Sequence, residues 1–216
     1  MTDNDTQQIR VWDPLIRLFH WTLVIGFLVA YLSGDELLQI HLYAGYLITG
    51  LLVFRIVWGF IGSRHARFAD FIYPPREIVA YLKSLGSGRP KRYLGHNPAG
   101  GVMVILLLLG LGLTVGTGLL MDDAAAVQAE GAALHTAAAD QGRLIRVDAD
   151  DDDDEAFGKE GGMAHEVLEE LHEFFANFTL FLVFLHIAGV IVSSRLHGEN
   201  LVRAMITGNK PAEPGA

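Results

Sequence analysis

Two histidines, His172 and His186, stand fourteen residues apart in EELHEFFANFTLFLVFLHIAG, a stretch otherwise apolar enough to lie in hydrocarbon. An ionisable side chain is expensive there and marks a functional position that needs a partner. At 1.5 Å per residue the gap is about 21 Å along a helix, and at 100° per residue it falls about 40° short of four full turns. The two imidazoles therefore face roughly one direction at two depths. Further histidines lie in other apolar stretches, His20 in IRLFHW and His41 in QIHLYAG. Neutral imidazole nitrogen is a good axial ligand for iron, and such sites are built from inward side chains on facing helices.

The elements that must position these groups are long apolar blocks, Leu15–Leu32, Leu42–Ile61, Pro98–Met121 and Phe174–Ser194. Each approaches the roughly 20 residues a helix needs to cross about 30 Å of hydrocarbon. With 51% hydrophobic residues in 216 and a positive mean hydropathy, the fold expected is all-α, an integral membrane four-helix bundle. The 1–216 chain reads as a single membrane domain. The chain has no cysteine, which excludes disulfides, cysteine-ligated iron–sulfur clusters, thiolate zinc sites and covalently attached c-type haem. Any cofactor must take nitrogen or oxygen ligands.

The net charge of −9 is unevenly distributed. Basic residues gather at Arg10 and Arg17, between Arg55 and Arg92, and after Arg195, whereas Asp122–Glu170 sets fifteen acids against Arg143, Arg146 and Lys159. The positive-inside rule then puts both termini and the 62–97 loop in the cytoplasm and residues 122–163 in the periplasm, as an acidic, low-complexity loop. The polar start MTDNDTQQIR lacks a basic n-region, so no removable signal peptide is expected. The protein is expected as a multi-pass component of a bacterial inner (plasma) membrane, with no nucleic-acid partner.

This topology pairs the histidines. His172 enters from the outside level with His41, and His186 lies in the inner half with His20. Two bis-histidine b-type haems, one near each face, account for all four. Arg55 follows His41 by fourteen residues and Arg17 precedes His20 by one turn, so each is a candidate to neutralise haem propionates, as well as to reach toward headgroups. The six glycines at 100, 101, 110, 112, 116 and 118 give the third helix a small surface, suited to close helix packing or to leaving room for a flat macrocycle. Pro74 and Pro75 start a short amphipathic helix expected on the cytoplasmic face. His65, His96 and His197 read as interfacial or backbone-bonded residues, with a quinone-site role open for His197. His135 and His165 fall in the outer loop, where His165 and Glu169 have the spacing of a two-ligand helical metal pair.

The motifs RVWDPLIRLFHW, HLYAGYLITGLLVFRIVWGFIGSRHARF, GHNPAGG and LHEFFANFTLFLVFLHIAGVIVSSRLHGENLVRAMITG together resemble the bacterial cytochrome b561 and nickel-hydrogenase b-type cytochrome group, over nearly the whole chain apart from the acidic segment. The resemblance implies a membrane protein with two b haems, ligated from the first, second and fourth helices. Residue by residue it implicates His20, His41, His172 and His186. The long acidic insertion departs from the short-looped pattern of that group, and NLVRAMITGNKPAEPGA is too short and charged for a fifth span, which counts against a five-helix hydrogenase anchor.

The function expected is electron transfer between the quinone pool and a redox partner or small oxidant in a respiratory chain. A cytochrome c or other redox subunit would meet the acidic loop. Whether this amounts to a quinone-linked oxidoreductase activity is left open by the residues alone. Two other classes fit part of the pattern: a divalent-metal transporter or sensor, and a haem-free membrane anchor subunit of a soluble oxidoreductase.

Overall fold

The computed structural model describes residues 8–34, 36–88, 90–140 and 151–212. Met1–Gln7, on which the signal-peptide reading rests, and residues 141–150 lie outside that description. The protein is helical throughout its spans, and four helices are long and apolar enough to cross a membrane: Pro14–Ser33, Leu38–Ile61, Pro98–Ala124 and Met163–His197. They coincide with the four apolar blocks of the sequence. Large apolar side chains lie exposed along them, Leu18, Ile25, Tyr43, Phe60, Phe181 and Phe184 among them, as a lipid-facing surface requires.

Local chemistry sets the helix ends. Helix α1, Pro14–Ser33, opens with Asp13, whose carboxylate accepts the Ile16 N–H at 3.0 Å, followed by Pro14 at the first helical position. Helix α2, Leu38–Ile61, stops at Gly62, where a Cβ would run into the Trp58 carbonyl. After a 3-10 turn at Arg64–Ala66 come the single-turn α3, Phe68–Phe71, and the amphipathic α4, Pro75–Gly86, which begins at the Pro74-Pro75 pair. Asn97 caps α5, Pro98–Asp140, by accepting the Gly100 N–H at 2.7 Å. Helix α6 runs Asp151–His197, and a short α7, Leu201–Thr207, is capped by Asn200 and closed by Gly208 in the left-handed region (φ +87°).

The acidic insertion differs from the loop expected of it. Helix α5 continues to Asp140 and α6 already begins at Asp151, so its described backbone is helical. Residues 124–139 are dominated by alanine, the best helix former, and nothing there breaks the helix that leaves the membrane-length segment. The DADDDDDE run at 148–155 lies partly outside the described residues.

The chain forms two compact units, residues 1–109 with 179–216, and residues 110–178. In the first, α1 packs against α2, and the chain ends are clamped together on the side of the 62–97 loop. Strand β1, Gln8–Arg10, pairs antiparallel with β2, Asn209–Pro211, with Ile9 opposite Lys210. The Val11 and Trp12 amides both donate to the Gly208 carbonyl, at 2.8 and 3.1 Å. Val11, Trp12, Ile16, Ala66 and Ala204 form the apolar core beneath this ladder. Behind it sits a buried charge cluster. Glu199 is bonded to Arg92 Nε through one oxygen and lies 3.6 Å from Lys210 Nζ through the other. The second unit holds residues 110–140 of α5 and 151–178 of α6, joined at Thr114, Thr117, Gly118 and His172.

Candidate haem site

In the first unit, His20 sits on α1 with its ring edge-on to Trp21, at 5.0 Å between centroids. The His186 imidazole is near enough to His20 to act on it electrostatically. His20 Nδ1 is buried and makes no hydrogen bond among the described residues. One turn earlier, Arg17 donates through Nη1 to the Ile206 carbonyl, while its Nε is buried without a partner.

His41 and His172 share another geometry. His41 Nδ1 lies 2.9 Å from the Ala30 carbonyl, and His172 Nδ1 lies 2.8 Å from the Thr114 carbonyl and 3.2 Å from Thr117 Oγ1. A carbonyl only accepts, so Nδ1 must carry the proton in both rings, and in the neutral imidazole Nε2 then holds the lone pair that a metal takes. A Cβ on residue 118 would stand 3.0 Å from His172 Cε1 and 3.2 Å from Nδ1, so glycine at 118 makes the space for this ring. Among the described residues nothing lies within 4 Å of a Cβ at Gly112 or Gly116, so the space beside these two glycines is open.

The arginine of α2 has a local engagement. Arg55 is only 4% exposed, donates through Nη1 to the Ala66 carbonyl at 3.0 Å, and lies over the Phe68 and Phe71 rings at 5.0 and 5.7 Å. It thus ties the turn after α2 to the helix while leaving a buried positive charge near His96.

His96, read from sequence as peripheral, is more deeply involved, and Thr179 is a position that the sequence does not single out. The His96 ring is wedged between Trp12 and Phe71, at centroid distances of 4.7 and 4.8 Å, with Nδ1 buried and unpartnered. Burial first, then Arg55, Lys210, His186 and His65, push its pKa down to about 3, so the ring is neutral. Thr179, midway between His172 and His186 in sequence, is fully buried, and its hydroxyl makes no bond, whereas Ser33, Thr49, Thr114 and Thr117 all bond back to their own helices. Only side-chain burial, which the sequence does not print, marks these two. His65 is bonded to the Asp70 carboxylate at 2.8 Å and His197 to the Ser193 carbonyl at 2.9 Å. Among the described residues no three histidines or carboxylates gather as a metal-ion site, and His165 and Glu169 recruit no third group.

A group that brings a metal centre for imidazole nitrogen and anionic arms for nearby donors fits what is present. Arg17 Nε and His96 Nδ1 are two of the five buried side-chain atoms left without partners among the described residues, and a haem with its carboxylates offers acceptors for such donors. Four membrane-length helices carrying half-buried histidines, together with the family match that follows, define the class, a b-type membrane cytochrome. A sequence model of the prokaryotic cytochrome b561 family matches residues 11–208, and the chain belongs to that family.

Among curated relatives, the probable Ni/Fe-hydrogenase B-type cytochrome subunit of Rhizobium leguminosarum bv. viciae is 26% identical over 121 residues, covering 44% of this chain and 51% of its own. The protein of the same description from Azotobacter vinelandii is also 26% identical over 121 residues, with 43% and 50% covered. The one from Rhodobacter capsulatus is 24% identical over 246 aligned positions, covering 97% of this chain and 86% of the relative. The chain spans about half the length of the first two of these. No solved structure matches it significantly.

Proposed function

We propose that the protein is a dihaem b-type cytochrome that moves electrons between the quinone pool and a redox partner protein or small oxidant. The observation that carries the reading is the match of the prokaryotic cytochrome b561 family to residues 11–208, a stretch that contains His20, His41, His172 and His186. The Nδ1-to-carbonyl bonds of His41 and of His172 suit each of these residues, taken singly, for ligation through Nε2.

When bound, haem would supply one-electron chemistry, and His20, His41, His172 and His186 would hold it through imidazole nitrogen. The chain's own residues then bind, orient and insulate. Ala30 and Thr114 fix the tautomers of His41 and His172, and Gly118 makes room for the His172 ring. Arg17 and Arg55 supply positive charge on the inner side for propionates. The lipid-exposed apolar surface keeps water from the centres, and burial and nearby charge tune their potentials.

Both termini and the 62–97 loop face the cytoplasm in this reading, supported by the basic residues gathered there. The chain acts as one membrane domain, and its acidic segment, residues 122–163, offers a face to a basic redox protein such as a cytochrome c. Stopped-flow mixing with a short-chain quinol tests the quinone link. The reading expects reduction of the b-type absorbance bands, and bands that stay oxidised contradict it. A second reading, a membrane subunit wiring a soluble oxidoreductase to the membrane, is favoured by the relatives named as hydrogenase cytochrome subunits. It predicts reduction by that enzyme in place of quinol.

A further inference from the structure

His96 is held as few loop residues are. Trp12 and Phe71 grip its ring, its own carbonyl accepts the Tyr73 hydroxyl at 3.0 Å, and the next residue, Asn97, caps α5. Its ring position is therefore set by the fold. Within that grip Nδ1 is buried with no partner among the described residues. Leaving such a nitrogen unpaired costs about 1–3 kcal/mol, a penalty that a native fold keeps where something else completes the bond.

The surroundings define what that partner must be. The groups that act electrostatically on His96 are Arg55, Lys210, His186 and His65, all cations or imidazoles. Nearby carboxylates are already engaged, Glu199 by Arg92 and Lys210, and Asp70 by His65. A further unpartnered nitrogen, Arg17 Nε, belongs to the same unit. Among the described residues these donors and cations meet no unengaged anion, and such a set calls for an acceptor bearing negative charge.

We propose that His96 is a cofactor-binding residue, its Nδ1–H donating a hydrogen bond to a carboxylate arm of the inner haem, the one assigned to His20 and His186. The inference rests on the dihaem reading. The ring's neutrality suits the role, because a neutral imidazole supplies an N–H without adding another buried charge beside Arg55 and Lys210. Donating to the carboxylate lowers its effective negative charge and so raises the potential of the iron it belongs to.

Two substitutions isolate the donor. His96→Phe keeps an aromatic ring against Trp12 and Phe71 but has no N–H, whereas His96→Asn places an amide N–H close to the position of Nδ1. Haem content of the unsubstituted protein comes first, and fewer than two haems per chain overturns the dihaem reading itself. With two haems present, redox titration and the haem propionate bending band in resonance Raman spectra are compared, the inner haem being identified as the one lost in His186→Ala. The expected result is that His96→Phe lowers the inner midpoint potential and shifts the inner propionate band while leaving the outer haem untouched, and that His96→Asn restores both. A His96→Phe protein with unchanged potential and band overturns the proposal, as does His96→Asn shifting as far as His96→Phe. Should His96→Phe not accumulate, the unsubstituted protein decides: an inner propionate band at the frequency of a free, water-exposed carboxylate overturns the assignment, and one at a hydrogen-bonded frequency supports it.

Discussion

Replacing Gly118 by alanine puts the preparation of His172 to a sharp test. The new Cβ would stand 3.0 Å from Cε1 and 3.2 Å from Nδ1 of the imidazole. Ordinary carbon contacts need about 3.5–4.0 Å, so the ring must retreat by roughly half an ångström. That stretches the 2.8 Å bond to the Thr114 carbonyl toward the limit of a hydrogen bond, at a net cost of about 1 kcal/mol, and overpacking adds about 1–3 kcal/mol. Alanine recovers roughly 1 kcal/mol through its helix propensity, so the fold itself loses only about 1–3 kcal/mol. The ligand ring loses its alignment entirely. Gly118→Ala should therefore show a small drop in melting temperature together with selective loss, or an altered low-spin electron paramagnetic resonance signal, of the outer haem. Gly50→Ala is the control: nothing lies within 4 Å of its Cβ, and nine residues put it half a turn around α2 from His41. A Gly118→Ala protein with both haems, both signals and both potentials unchanged would refute the reasoning.

Other expectations follow from single residues. His186→Ala should lose the inner haem and His172→Ala the outer one, read as half the haem per chain; full haem in both variants would show that the ligands are misassigned. Glu199→Gln should destabilise the terminal clamp by about 3–5 kcal/mol, because it leaves Arg92 and Lys210 buried without their counter-charge, and an unshifted thermal melt would contradict that. Stability should also fall as the pH drops below 6.5, since the unfolded chain then protonates a histidine that the fold keeps neutral down to about 3, at up to about 1.4 kcal/mol per pH unit. His96→Asn, which does not titrate, should flatten that limb. Burial alone raises the pKa of Asp13, but its bonds from Ser63, Ile16, Trp58 and Leu15 outweigh that and hold it below 3.8. Its share of stability is thus complete above 3.8 and is lost as the pH falls through the lowered value.

The spans and their caps were legible because they are local. Twenty apolar residues need no context to announce a membrane helix, and Asp13-Pro14 and Asn97-Pro98 spell helix starts within two residues. What escaped was long-range or depended on burial. The β1–β2 ladder joins three-residue strands from opposite ends of the chain, and the Arg92–Glu199–Lys210 cluster spans more than a hundred positions, with no periodicity to reveal it. Arg55 has the spacing of a propionate partner, but its bond to Ala66 depends on how the chain turns after Gly62. His96 looked like a polar loop residue until Trp12 and Phe71 closed over it. The alanine-rich 124–139 segment carries a helical propensity that its low complexity concealed.

Haem stoichiometry with ligation state tests the central claim most directly. A pyridine haemochrome assay of purified protein, paired with low-temperature electron paramagnetic resonance of the oxidised form, should give about two b haems per chain, both low-spin with bis-imidazole signals. A preparation from a haem-replete host with one haem or none, or with a high-spin signal from an open axial position, would contradict it.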